Sequence, residues 1–195
     1  MIPHPADPAA DLIDRARRGE EEALSALIEH AYPLVRRWAL IQTGEPDDAE
    51  DLTQDVLVQM LRKLDTFQSQ ARFSTWLYQV TRNAAHDRRR RKARRDRLSA
   101  AREGWAPLTA QVVADPSALL ERQALSDALR GFFAELPERQ REVFDLVELQ
   151  GYPAVDAAEM LGIEAVSVRA HLFKARKRLR ARMLEQNPDL IEEWS

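Results

Sequence analysis

Helical spacing runs through almost the whole chain, and one long stretch interrupts it. Glycine is scarce, 6 in 195 residues, and runs of β-branched residues are few, so little in the sequence favours strands. The pattern predicts helices over 8–18, 20–30, 32–42, 46–64, 73–96, 117–135, 138–149, 154–161 and 165–184. Breaks are expected at Pro33, at Gly44-Glu45-Pro46, at Pro137, at Gly151 with Pro153, and at Gly162. The exception is "SAAREGWAPLTAQVVADPS", 99–117, which has no clear period and reads as a linker. The expected fold is therefore all-α: two small helical domains, 8–97 and 117–184, joined by a flexible linker over 98–116. A chain of 195 residues, 45% hydrophobic, is long enough to give each its own core.

The net charge of −3 conceals a strong segregation along the chain. Between Glu45 and Leu64 six acids stand against Arg62 and Lys63. From Arg82 to Arg97 nine Arg and Lys face only Asp87 and Asp96, and from Arg169 to Arg182 seven face no acid. Two basic stretches and one acidic stretch suggest two anionic contacts and one cationic contact. Each run taken alone also reads as a solvated helix face.

In the C-terminal domain, "AVDAAEMLGIEAVSVRAHLFKARKRLR" sets a short helix, Gly162 in a tight turn, and a longer helix that becomes strongly basic. Small Ala157 and Ala158 allow close helix approach, and Leu161, Ile163, Val168 and Leu172 form the packing set of a helix-turn-helix. On the second helix Val168, Leu172, Ala175 and Leu179 stack on one face. Ser167, Ala170, Lys174 and Lys177 lie opposite, flanked by Arg169 and His171. Small residues early in the helix admit its backbone to a major groove, and cations further along meet phosphates.

In the N-terminal domain, "RFSTWLYQVTRNAAHDRRRR" begins with aromatics and ends in arginines. Phe73, Trp76, Leu77, Val80 and Ala84 make a core stripe, which leaves Thr75, Tyr78, Gln79, Arg82, Asn83, His86 and Arg89 outward. Aromatics beside cations suit unpaired bases, and Phe67 in the preceding polar loop is a candidate wall for a flipped base. On 46–64 the buried stripe is Ala49, Leu52, Thr53, Val56, Met60 and Leu64. The other face carries Glu50, Asp51, Gln54, Asp55 and Arg62 around an apolar Val58, a pattern that fits a basic protein partner or a solvated face. A carboxylate metal cluster is a weaker reading, because acids favour a helix start in any case.

The chain has no cysteine, which removes disulfides, thiolate metal sites and a cysteine nucleophile, and fits a reducing cytoplasm. No apolar run suits a signal peptide or approaches a membrane span. The four histidines are scattered, and neither a glycine-rich phosphate loop nor a nucleophile–base spacing is present. No cofactor, metal or catalytic residue is expected. An autonomous helix-turn-helix regulator and a metal-dependent nucleic-acid enzyme remain the competing classes.

"DAEDLTQDVLVQMLRKLDTF" with "RFSTWLYQVTRNAAHDRRRR", and then "LPERQREVFDLVELQGYPAVDAAEMLGIEAVSVRAHLFKARKRLR", resemble the two characteristic regions of extracytoplasmic-function sigma factors of bacterial RNA polymerase. The resemblance implies a promoter-specificity subunit that binds core RNA polymerase and promoter DNA, with clamp helices and flap as docking elements and an anti-sigma factor as a possible regulator. It implies core binding by Asp48, Asp51, Gln54 and Asp55, with Val58 and Arg62 on the same face. Contacts to the −10 element fall to Phe67, Arg72, Phe73, Trp76 and Gln79, and further along to Arg82, Asn83, His86, Asp87, Arg89 and Arg90. The −35 element falls to Ser167, Arg169, Ala170, His171, Lys174, Arg176 and Lys177. His171 and Ala170 depart from the arginine and the serine or threonine that the resemblance leads one to expect.

Overall fold

The computed structural model describes residues 7–68, 71–100, 131, 133 and 135–186. The expected linker and the expected helix over 117–135 lie almost wholly outside them. Within these residues the secondary structure is helical, with no strand.

Helices α1 (Ala10–Arg17), α2 (Glu21–Thr43), α3 (Pro46–Lys63) and α4 (Phe73–Ala100) build the N-terminal domain. The break expected at Pro33 is absent, since α2 passes straight through it. The reason lies in packing. Ala23, Leu27, Ala31, Val35, Trp38 and Gln42 form one uninterrupted buried stripe on both sides of the proline, which itself sits on the exposed face. Burial along that stripe outweighs the backbone hydrogen bond that a proline removes.

Gly44 ends α2 at φ 81° and gives its N–H to the Leu40 carbonyl at 2.8 Å, and Pro46 then starts α3. All six residues of the expected α3 stripe are buried. After α3 a single 3₁₀ turn, Leu64–Thr66, drops Phe67 onto the start of α4.

The C-terminal domain contains α5 (Glu138–Phe144), a π-helical turn over Asp145–Leu149, α6 (Ala154–Leu161) and α7 (Ala165–Gln186). The expected helix 138–149 thus forms but widens half-way, where Gln150 N–H reaches the Asp145 carbonyl, five residues back, at 2.9 Å. Gly162 at φ 64° makes the helix-turn-helix turn. Its N–H bonds the Glu159 carbonyl at 3.2 Å and the Ile163 N–H bonds Ala158 at 3.0 Å, a Schellman closure. A methyl added at Gly162 would meet nothing within 4 Å, so the left-handed backbone, rather than crowding, calls for glycine.

The domains share one continuous core. Helix α4 packs on α6, and α2 reaches α5. Trp38 stands at the seam, edge-on to Tyr78 at 5.2 Å, and its indole N–H donates to the Gln150 side-chain carbonyl at 3.0 Å.

Candidate nucleic-acid interface

Three charged surfaces emerge, each fixed by the buried stripe behind it. On α3, Asp51, Gln54, Asp55 and Arg62 are exposed around Val58, which is 47% exposed. Leu61 joins it at the edge of exposure, giving the acidic face a small apolar centre. Asp48 turns sideways instead: it accepts from Arg88 at 2.7 Å, with Lys92 at 3.9 Å, and the Arg88 hydrogen bond holds its carboxyl below the usual carboxylate range. Arg88 also reaches Asp51 at 3.1 Å, so this arginine of the basic run ties α4 to α3.

Helix α4 keeps its expected core stripe, with Phe73, Leu77, Val80 and Ala84 buried and Trp76 half-buried. Two residues expected outward are not: Thr75 and Tyr78 are both buried. Tyr78 lies near Glu142 and Asp145 of the C-terminal domain, and burial raises its hydroxyl well above its ordinary pKa. Phe67 is likewise a core ring instead of a free wall. It packs at 5.6 Å from Phe73 and 5.5 Å from Trp76, under the Arg17 guanidinium at 5.7 Å. Following α3 so closely, it meets the apolar start of α4 before any ligand can.

The remaining α4 residues divide. Gln79, Asn83, Asp87 and Arg90 are exposed, with Arg90 bonded to Asp87 at 2.8 Å. Arg82, His86 and Arg89 are half-buried against α5. Arg72, at the entry to α4, pairs with Asp156 of α6.

On α7 the expected stripe of Val168, Leu172 and Ala175 is buried and Leu179 half-buried. Arg169, Ala170, Lys174 and Lys177 are exposed, and these cations make no ion pair among the described residues. Ser167 and His171 are half-buried at the flanks, and Arg176 pairs with Glu148 of the π turn. Two apolar residues that charge reading passes over share the outward face: Val166, 62% exposed, and Phe173, 68% exposed. They lie seven residues apart, and that interval, opposite the buried stripe, is the signal that could have found them.

Comparison with known proteins places the two domains. Residues 27–95 match the family model described as Sigma-70 region 2, and residues 126–179 match Sigma-70, region 4. The ECF RNA polymerase sigma factor SigM of Mycobacterium tuberculosis is 31% identical over 176 residues, covering 90% of this chain and 84% of that protein. This chain belongs to the ECF RNA polymerase sigma factors. The Bacillus subtilis ECF sigma factor SigW is 26% identical over 176 residues, with 88% and 94% of the two chains covered. Among solved structures, the sigma factor RpoE of Bartonella quintana, in complex with the anti-sigma factor NepR, shares the fold at TM-score 0.65 and 24% identity, covering 82% of this chain and 95% of its own. CnrH, in complex with the cytosolic domain of CnrY, does so at TM-score 0.64 and 21% identity, with 95% and 97% covered. As an ECF sigma factor the chain acts in promoter recognition and transcription initiation by RNA polymerase. Sigma factors are regulatory DNA-binding proteins, and among the described residues no helix is long and apolar enough to cross a membrane.

Proposed function

We propose that the three surfaces divide the work of initiation. The exposed face of α3, with Asp51, Gln54, Asp55, Val58 and Arg62, docks core polymerase. The outward residues of α4, Gln79, Arg82, Asn83, His86, Asp87, Arg89 and Arg90, with Arg72 and the half-buried Trp76 at its start, engage the opened −10 strand. Phe67 and Phe73 support that surface from beneath as packed rings. Helix α7 reads the −35 duplex through Arg169, Ala170 and Lys174, with Ser167, His171, Arg176 and Lys177 at its margins.

The observation that carries this reading is the placement of Val58. Val58, 47% exposed, and Leu61 beside it at the edge of exposure give the charged face an apolar centre of the kind that a partner surface covers. The exposed Arg169, Lys174 and Lys177, which make no ion pair among the described residues, on a glycine-turned helix-turn-helix support the duplex contact in the same way.

The protein itself catalyses nothing in this scheme, and phosphodiester chemistry stays with the polymerase. It works in the cytoplasm, on the nucleoid. An anti-sigma factor is a further candidate partner, as NepR is for the Bartonella protein. Run-off transcription with purified core polymerase on a promoter library tests the scheme: transcripts should share two sequence elements upstream of their starts. Transcription without such elements would refute the division of labour.

A further inference from the structure

The connection from α3 to α4 is held at both ends by the segment that precedes α2. At its entry stands Arg17, the last residue of α1. Its Nε donates to the Leu64 carbonyl at 3.2 Å, one Nη donates to the Phe67 carbonyl, and the guanidinium covers the Phe67 ring at 5.7 Å. The other Nη donates to Asp14 Oδ1 at 3.0 Å, one turn back on α1, so the fork is aimed from its own helix. At the exit stands Asp7. Its Oδ1 accepts from the Ser74 N–H at 3.0 Å, and its Oδ2 lies 4.0 Å from Arg72 Nε. Ser74 is the second residue of α4, so its N–H has no partner inside the helix and the carboxylate caps it from outside.

We infer that Arg17 and Asp7 are positioning residues for promoter opening: together they fix the backbone that carries Phe67, Arg72 and Phe73, and so set where the start of α4 meets the −10 strand. The inference rests on the −10 role proposed for that region. Both residues precede residue 27, where the match to Sigma-70 region 2 begins, and neither belongs to the three charged surfaces.

The chemistry argues for placement over simple cohesion. Phe67 and Phe73 are already buried, so apolar packing holds the region together without these bonds. What the bonds add is direction. Both anchors grip main-chain groups, the Leu64 and Phe67 carbonyls and the Ser74 N–H, so they fix the path of the chain whatever side chains it presents. One planar guanidinium serves two carbonyls three residues apart and a carboxylate at once, which the point charge of a lysine cannot do in a fixed geometry.

The test uses the full-length protein with core polymerase on a promoter that the wild type selects from the run-off library, and permanganate reactivity of unpaired thymines reports opening. Arg17→Ala should slow opening about tenfold and leave core association and affinity for the −35 duplex as in wild type. Arg17→Lys should stay slow, because it keeps the charge and loses the fork. Asp7→Ala should act in the same direction by less, and hydrogen exchange at the Ser74 amide should quicken with it. Arg18→Ala, an equal loss of charge at the adjacent exposed residue, should open at the wild-type rate. A wild-type rate in Arg17→Ala, full recovery in Arg17→Lys, or the same slowing in Arg18→Ala overturns the inference. Should Arg17→Ala fail to fold, Asp14→Ala decides in its place, since it removes only the exposed carboxylate that aims the fork, and unchanged opening would then count against the brace. Failure of the underlying −10 role has a separate signature: Gln79→Ala with Asn83→Ala would then leave opening unchanged.

Discussion

Two basic helices of nearly equal charge meet opposite fates in this molecule. Arg82 and Arg89 of α4 end on carboxylates of the other domain, at Glu142 and Glu138, whereas Arg169, Lys174 and Lys177 of α7 face solvent. The difference does not come from the basic residues, which are similar, but from what packs behind them. Helix α7 buries one stripe in its own domain and leaves Arg169, Lys174 and Lys177 exposed. Helix α4 buries one stripe in its own domain and turns a second, through Tyr78, Arg82 and Arg89, toward its neighbour. Charge in a sequence therefore marks where a polyanion could bind, and tertiary packing decides whether that surface is open.

Removing the caging acid should break the contrast most strongly. Glu142→Ala strands Arg82, Gln42 and Arg139 without their shared acceptor, and losing one side of a buried ionic contact costs about 3–5 kcal/mol. Chemical denaturation should show a loss of that order, while Lys177→Ala on the bare helix stays within about 0.5 kcal/mol of wild type. Similar losses for both would erase the distinction. On the open helix, Lys174→Ala should weaken promoter duplex binding by about 1–3 kcal/mol if it meets a base, or reduce the salt slope by about one if it meets a phosphate. The loss should be the same in the Glu138→Gln, Glu142→Gln background, because the two sites share no partner.

Acidity offers a finer probe of the closed seam. Burial, opposed by Arg37 and by the Gln150 side chain, raises the Asp145 carboxyl from 3.8 to about 6. The folded state thus holds this proton more tightly than the unfolded chain. Its favourable contribution is complete below the unfolded value and is lost as pH rises through about 6. Between these limits stability should increase on acidification by at most about 1.4 kcal/mol per pH unit from this group. His30, whose pKa burial lowers, acts in the opposite sense as pH falls, so the comparison is wild type against Asp145→Asn, which should lack the Asp145 slope. Equal slopes would remove Asp145 from the balance. The smallest effect belongs to Phe173→Ala, which should alter stability by no more than about 0.5 kcal/mol, because the ring is 68% exposed. A larger drop in thermal midpoint would mean that the outward face of α7 is not open.

Local periodicity carried much of this into the sequence. The six buried residues of α3, the stripe of α7 and the turn at Gly162 follow from spacing and from one backbone conformation, and all were legible. What was lost is long-range. Nothing near Tyr78 announces that Trp38, forty residues earlier, will stand edge-on to it, or that the Trp38 indole will hydrogen-bond Gln150 of the other domain. Nothing in the sequence around Glu138 and Glu142 marks them as partners of α4, for the same reason. Pro33 misled because helix-breaking is a local tendency, and the stripe from Ala23 to Gln42 outweighs it. Phe67 misled because its neighbours in sequence are polar while its neighbours in space are aromatic rings.

The π turn at Asp145–Leu149 stores one residue more than the α-helical turn it replaces. Deleting one residue inside it would let α5 run on as a regular helix with its start and its end still in phase, whereas the same deletion among the regular turns before it would rotate every later side chain of the helix by about 100° about the axis. The segment thus tolerates a single loss that its neighbouring turns do not.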